Sequence, residues 1–128
     1  MRLTKNELSI MEILWEVQRP LLSNEIVDLC KEKKWKASSI HILINSLLDK
    51  QAIAVAGFEK VGKHYCRTFK PLLTKEEYMV SSVIDEAKLN DSVIREMMLA
   101  LIQDKSISDE TLNILDSIIK DKKQKNKD

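Results

Sequence analysis

The sequence has few of the residues that make tight turns, and few cysteines. Two glycines and two prolines occur among 128 residues, and aromatic residues make up 5% of the chain. This scarcity argues against an all-β architecture and favours a mainly helical protein. Cys30 and Cys66 are far apart and form no C-x-x-C pattern, so we expect two reduced, buried thiols with no disulfide and no metal site.

Long apolar runs and an apolar leader are also missing. The longest apolar runs, at residues 97–102 and 53–58, are much shorter than a membrane span. Residues 1–7 contain no apolar segment of the kind found in secretion signals. We therefore expect a cytoplasmic protein without stable membrane association.

Signatures of catalysis are absent as well. The chain has two histidines, His41 and His64, but no H-E-x-x-H motif, no glycine-rich phosphate loop and no G-x-S-x-G motif. Both histidines are explained more simply as exposed polar residues than as catalytic bases. We expect no enzymatic activity, no catalytic residue, no metal and no cofactor.

Charge is distributed unevenly along the chain. The net charge is +1, but residues 1–73 carry 12 Lys and Arg against 8 Asp and Glu, which gives +4. Residues 74–128 carry 9 against 12, which gives −3. A basic first part and an acidic second part indicate different roles for the two.

The first part has the pattern of three short helices. Thr4 and Glu7 form a capping box before a helix that ends near residue 17, ahead of Pro20. Ser23 is the expected cap of a second helix. The stretch "WKASSIHILINSLLDKQ", residues 35–51, contains a third helix, whose inner face at helical spacing is Ile40, Leu43, Ile44 and Leu47.

A β-hairpin follows these helices. Residues 53–58 and 64–69 are rich in β-branched and aromatic residues, and the polar loop 59–63 between them contains a glycine. Three helices followed by a hairpin describe a winged helix-turn-helix. In that motif the third helix enters the major groove of DNA and the hairpin, called the wing, lies on the adjacent backbone.

The distribution of polar residues matches that division of labour. Phosphates attract positive charge, whereas base edges need short donors and acceptors. The outward face of the third helix carries such short side chains, and we expect the following residues to face bases: Ser38, Ser39, His41, Ile42, Asn45 and Ser46. Cations flank this face at Lys34, Lys36, Lys60, Lys63 and Arg67, and we expect the last four to contact phosphates.

The alternative interpretation is that this outward face is only solvated. Ile42 favours a groove contact, because an exposed isoleucine loses part of its burial free energy, ~1.5–3 kcal/mol when fully sequestered. Asn45 is suited to an adenine edge and Ile42 to a thymine methyl group.

Three more helices are predicted from residue 74 onwards. A second capping box at residues 74–77 opens a helix that runs to about residue 89, and residues 90–92 and 106–108 cap the next two. The resulting organisation is a winged-helix DNA-binding domain at residues 1–73, a helical dimerisation domain at 74–121 and a frayed charged tail at 122–128. The predicted fold class is mainly α with a small β-hairpin.

The predicted helices of residues 74–121 form a helical arm. This arm has more apolar residues than three helices joined to the first domain by one short link can bury. A second copy of the chain would cover them and would present two DNA-binding units to a symmetric site. Packing against the first domain is the alternative. The residues expected in a dimer interface are Met79, Val83, Ile84, Met97, Met98, Leu101, Leu115 and Ile118.

Three segments together resemble the penicillinase-repressor family. They are "LTKNELSIMEILWE", "LSNEIVDLCKEKKWKASSIHILINSLLDKQAI" and "HYCRTFKP", and the likeness spans essentially the whole chain. The resemblance implies a homodimeric repressor on a palindromic double-stranded DNA operator, often controlling antibiotic-resistance genes. It also implies a membrane sensor-protease whose signal leads to cleavage within the arm, and the equivalent bond here is Ala100–Leu101.

This sequence departs from the family pattern at several positions. The Asn-Phe pair at the cleavage site of well-known members is absent, and the third helix has fewer cations than is usual in the family. The copper-responsive branch carries a C-terminal C-x-C motif, and this chain has no cysteine after Cys66, which excludes copper sensing by that route.

Two other functions remain open from the sequence. The sparse charge of the third helix is also consistent with a winged-helix adaptor that binds protein and has weak or no DNA binding of its own. The second of these functions is a regulator that senses a small molecule in the arm. Met97 and Met98 would line its pocket, although methionines more often fill cores.

Overall fold

The computed structural model describes residues 1–30, 35–86, 89–104 and 106–127. It divides into two compact units, the first reaching residue 87 and the second beginning at residue 88. The helices are α1 (Lys5–Val17), α2 (Ser23–Leu29), α3 (Ile40–Asp49), α4 (Lys75–Glu86), α5 (Asp91–Asp104) and α6 (Asp109–Lys127), and a 3₁₀ turn occupies Ala37–Ser39. The strands are β1 (Leu21–Leu22), β2 (Ile53–Val61) and β3 (His64–Pro71). The predicted fold class, a winged helix with a helical arm, is confirmed.

Helix α1 begins and ends where the sequence predicts. The Glu7 amide donates to Thr4 Oγ1 (3.2 Å), and the Thr4 amide donates to Glu7 Oε1 (2.8 Å), which completes the capping box. At the other end Gln18 adopts a left-handed conformation with φ +58°, and its amide donates to the carbonyl of Leu14. Pro20 then prevents the helix from continuing.

Helix α2 starts differently from the prediction. Leu21 and Leu22 form the short strand β1, which pairs with Phe69 and Thr68 of β3. The predicted cap at Ser23 is therefore wrong, because the strand places Leu22 at the cap position and Ser23 inside the helix. Glu25 satisfies the helix start instead, since its Oε1 accepts from the Leu22 amide at 3.0 Å.

One hydrophobic core holds the three helices and the sheet together. The inner face of α3 contributes as predicted, with Ile40, Ile44 and Leu47 buried and Leu43 packed at the edge. Trp35 is also buried, and its indole N–H donates to Ser9 Oγ at 3.1 Å, so its polar atom is satisfied. The other buried apolar residues are Ile10, Met11, Leu14, Leu21, Leu22, Ile26, Cys30, Ala52, Ile53 and Phe69.

The wing, formed by β2 and β3, is longer than predicted. The strands continue to Val61 and from His64, so the predicted loop 59–63 is reduced to a turn at Gly62 and Lys63. Gly62 has φ +64°, a conformation that other residues adopt with strain. Both faces of the tip are in solvent, and polar residues at 59 and 60 are therefore compatible with strand structure.

Helix α4 packs within the first unit. The rings of Trp15 and Tyr78 lie 5.9 Å apart, the Trp15 indole N–H donates to the Leu73 carbonyl (2.9 Å), and Lys75 pairs with Glu12 at 3.0 Å. The first compact unit therefore includes α4. The sequence predicts that this helix ends near residue 89. The structure describes it as far as Glu86, and residues 87 and 88 lie outside the described part.

The second unit contains α5 and α6. Their predicted caps are present, because Asn90 Oδ1 accepts from the Val93 amide (3.0 Å) and Ser108 Oγ accepts from the Thr111 amide (3.1 Å). The tail predicted to be frayed is helical to Lys127. Lysine and glutamine are good helix formers, and cations in the last turn interact favourably with the helix dipole.

Candidate nucleic-acid interface

The outward face of α3 is largely open to solvent. Ser38, His41 and Asn45 are exposed, Ser39 is half-buried, and Ile42 is 72% exposed. They lie opposite the buried face of Ile40, Ile44 and Leu47. An exposed isoleucine among short polar side chains forms a surface that a base edge or a thymine methyl group can approach closely.

Ser46 departs from the predicted set. Its hydroxyl donates to Glu7 Oε2 at 2.6 Å, so the side chain is directed inward and is half-buried. We therefore remove Ser46 from the base-facing residues. Helical spacing alone cannot separate it from Asn45, because the inward direction of its hydroxyl depends on a partner on another helix.

Glu7 is a buried carboxylate that links α1 to α3. Its side chain is nearly inaccessible to solvent, and it accepts from Ser46, from Lys50 Nζ (2.6 Å) and from the Thr4 amide. Lys50 also donates to the Arg2 carbonyl at 3.0 Å. The carboxylate thus holds the C-terminal half of α3 against the first turn of α1.

The surroundings of Glu7 determine its ionisation. Burial raises the pKa of this carboxyl, but the hydrogen bonds from Lys50, Ser46 and Thr4 outweigh burial and lower the pKa from 4.5 to about 2. A carboxylate with this many donors is fully charged at neutral pH, and its charge is compensated by Lys50.

Four exposed cations lie before α3 and on the wing that follows it. Lys36 precedes the 3₁₀ turn, Lys63 lies in the turn of the wing, and Lys60 and Arg67 are on its strands. Among the residues that the structure describes, none of these four pairs with a carboxylate, whereas Lys50, Lys75 and Arg19 do. Their charge is available to an external anion. Lys34, also predicted to flank this face, lies outside the described residues.

Sequence reasoning missed two features of this region. It used Glu7 only as part of a capping box, and it did not identify Phe58 and Tyr65 of the wing as exposed aromatic residues. The second feature has a signal in the sequence, which is the alternation of side chains along a strand. Tyr65 and Arg67 are two residues apart and therefore share a face of β3.

The two cysteines differ in their environments. Cys30 is buried as predicted, but Cys66 is exposed, so that part of the prediction is wrong. Cys66 lies on the part of the wing that extends beyond the core, where neither face is covered. Within the described part of the chain, no cluster of three or more His, Cys, Asp or Glu could hold a metal ion.

The arm residues predicted to form a dimer interface are accessible in the single chain. Seven of the eight are exposed, with Met98 at 60%, and Leu115 is half-buried. Ala100 and Leu101 are both exposed and lie inside α5. None of the helices in the described ranges is long and apolar enough to cross a membrane.

A winged helix with a short-chain polar face on α3, exposed cations before this helix and on the wing, and a helical arm defines a class of DNA-binding regulators. The chain belongs to the penicillinase repressor family, because the sequence model of that family matches residues 3–121. It is accordingly a DNA-binding transcriptional repressor, and the family is one of regulators and not of enzymes. A comparison with curated proteins found no match.

Replacing Glu7 tests the link between α1 and α3. We expect Glu7→Gln to lower the free energy of unfolding at pH 7 by roughly 3 kcal/mol, because the pKa in the folded state, about 2, is well below that of the unfolded chain. The contribution of the carboxylate is complete above about pH 4.5 and is lost as the pH falls towards 2. Urea unfolding at pH 7 and pH 3 measures it.

The matched control is Glu16→Gln, which changes an exposed carboxylate on the same helix. This variant should unfold like the wild type at both pH values. A loss in Glu7→Gln that is equally large at pH 3 would contradict the assignment of the stabilisation to the charged carboxylate.

Proposed function

We propose that the protein is a homodimeric repressor that binds a palindromic operator through α3 and the wing. The observation that supports this most directly is the exposed surface of residues 38–45, which carries no charged side chain, together with exposed cations before α3 and on the wing that have no carboxylate partner in the described residues. Phosphate contacts supply affinity and orientation, whereas base contacts supply selection. Here the cations lie before α3 and on the wing, whereas the side chains suited to base contacts lie on α3, so the two kinds of contact come from different elements.

Each part of this surface has a proposed role. Asn45 bonds an adenine edge, Ile42 contacts a thymine methyl group, and His41, Ser38 and Ser39 face bases or the nearest phosphates. The cations that contact backbone phosphates are Lys36, Lys60, Lys63 and Arg67. Ser46 is not included, because its hydroxyl already bonds Glu7.

The second copy supports the same function by covering the arm. Large apolar side chains are exposed on each of α4, α5 and α6, and monomeric soluble proteins rarely leave large apolar patches uncovered. A two-fold axis would bring one winged helix to each half of a symmetric operator. The proposed interface comprises Met79, Val83, Ile84, Met97, Met98, Leu101, Leu115 and Ile118.

Relief of repression belongs to the same proposal. By analogy with the antibiotic-responsive members of the family, a membrane sensor-protease signals cleavage of the cytoplasmic repressor at Ala100–Leu101, and the controlled genes include antibiotic-resistance genes. The bond lies inside α5, so cleavage requires this helix to open locally. Cutting there would separate the dimer from its last helix.

Paired substitutions on α3 and on the wing test the DNA interface. We expect Asn45→Ala to reduce the preference for the duplex upstream of the gene over random duplex by roughly 1–3 kcal/mol. Lys63→Ala should weaken both duplexes alike and flatten the salt dependence. The slope should fall by roughly 0.9 per lost contact and therefore by roughly 1.8 in a dimer. Fluorescence anisotropy across a salt series measures both quantities.

Lys75→Ala is the matched control for lost charge, because Lys75 already pairs with Glu12 at 3.0 Å. Its salt slope should equal that of the wild type. If both Asn45→Ala and Lys63→Ala changed specific and random binding equally, the assigned roles would be refuted. If the wild type bound neither duplex at low salt, the adaptor function would be favoured.

A charge placed in the arm tests the dimer. We expect Met98→Glu to shift the mass in sedimentation equilibrium from dimer to monomer, because an unpaired carboxylate in an apolar interface is strongly disfavoured. Operator affinity should fall by at least about tenfold, since one half-site contact is then lost. Ser92→Glu, an exposed position on the same helix, should leave the mass unchanged. A wild type that is monomeric at working concentrations would contradict the proposal.

A further inference from the structure

The wing carries two exposed aromatic side chains. Phe58 is 68% exposed and Tyr65 is 70% exposed. The other aromatic residues, Trp15, Trp35, Phe69 and Tyr78, are buried or half-buried. Large rings left in solvent at one place on the surface indicate a contact with another molecule.

Strand register places these rings on one face together with two cations. Phe58 pairs with Arg67, and Lys60 pairs with Tyr65, so each cross-strand pair combines a ring with a positive charge. We call Phe58, Lys60, Tyr65 and Arg67 the aromatic–cation face. Glu59, the only acidic residue of the wing, pairs with Cys66 on the opposite face.

The direction of this face follows from the core. Tyr65, Arg67 and Phe69 alternate along β3 and therefore share one side of the sheet. Phe69 is buried in the core formed with the helices, and the Arg67 guanidinium lies 5.2 Å from the centre of its ring. The aromatic–cation face thus continues, beyond the edge of the core, the side of the sheet on which the helices pack.

This position determines the partner that fits the face. The side of the wing that carries the helices also carries α3, whose outward residues face the bases in the proposed function. Lys60 and Arg67 have no carboxylate partner among the described residues and therefore attract phosphates. The walls of the minor groove between phosphates are apolar deoxyribose. A ring next to a cation matches that alternation of sugar and phosphate.

We infer that the aromatic–cation face binds the minor-groove edge of the DNA next to the groove read by α3. Phe58 and Tyr65 lie against deoxyribose, while Lys60 and Arg67 contact the flanking phosphates. The inference rests on the proposed function and adds to it an apolar, salt-independent component of binding. Such a component compensates for the absence of lysine and arginine from α3.

Salt dependence separates the two kinds of contact. A lost ring releases no counterions, so Phe58→Ala and Tyr65→Ala should each weaken binding about tenfold while the slope against salt concentration stays as in the wild type. Lys60→Ala should lower the slope by roughly 1.8 in a dimer. Tyr65→Phe keeps the ring and should bind like the wild type.

Hydroxyl-radical footprinting gives a direct readout, because it reports the accessibility of deoxyribose in the minor groove. The wild type should protect sugars that flank the bases contacted by α3, and Phe58→Ala and Tyr65→Ala should lose that protection only. Val61→Ala is the matched control, since Val61 is an exposed apolar residue on the opposite face of the same strand. Thermal unfolding of all variants verifies that the fold is unchanged.

The outcomes distinguish this inference from the proposed function. If the wild type prefers the upstream duplex and Asn45→Ala reduces that preference, but Phe58→Ala and Tyr65→Ala bind and protect like Val61→Ala, the inference alone is overturned. If the two ring variants change the mass of the free protein, the face is a protein interface and the inference also fails. A wild type that binds no duplex refutes the proposed function itself.

Discussion

A buried carboxylate on α1 determines how α3 is presented to solvent. Glu7 accepts hydrogen bonds from Ser46 and Lys50, which lie on and directly after α3, and it also caps its own helix through Thr4. A buried charge with partners on two elements tolerates little displacement, because each lost partner leaves the carboxylate poorly solvated. Asn45 is the neighbour of Ser46 in the sequence. The bond that holds Ser46 inward therefore also fixes the rotation that turns Asn45 outward.

The two units of the chain differ in how far their apolar side chains are buried. In the winged helix, buried apolar residues from three helices and a sheet meet in one core, and the polar atoms within it have partners among the described residues. In α5 and α6, apolar side chains recur at helical spacing but remain exposed. In the proposed dimer, the second copy covers the exposed apolar side chains of α5 and α6. Apolar area removed from water in this way stabilises an interface by about 25 cal/mol per Å².

Local signals in the sequence predicted the fold well, and interactions between distant residues account for what they missed. The capping boxes at Thr4 and Thr74 and the inner face of α3 depend on neighbours within a few positions, and all are present. Strand β1 has only two residues and exists because Leu21 and Leu22 pair with β3, so no periodicity could reveal it.

The candidate site shows the same division between local and distant signals. Helical spacing predicted the outward residues of α3 because they lie opposite a buried face, and the exposed positions of Ser38, His41, Ile42 and Asn45 agree with it. The inward direction of Ser46 depends on Glu7, which is 39 positions away in the chain. Physical contact between elements, and not the pattern within one element, separates these two cases.

Helix α3 contains no lysine or arginine, and this has consequences for how the repressor would distinguish sites. Under the proposed function, positive charge comes from Lys36 and from three residues of the wing, so nonspecific attraction and base selection are carried by separate side chains. Charge on the wing acts on every duplex and is screened by salt, whereas hydrogen bonds and methyl contacts from α3 are screened far less. The preference for an operator over other DNA should therefore survive at salt concentrations where overall affinity has fallen. A rigid attachment of α3 through Glu7 matters more in such a protein, because its short side chains reach the bases only if the helix itself is held in place.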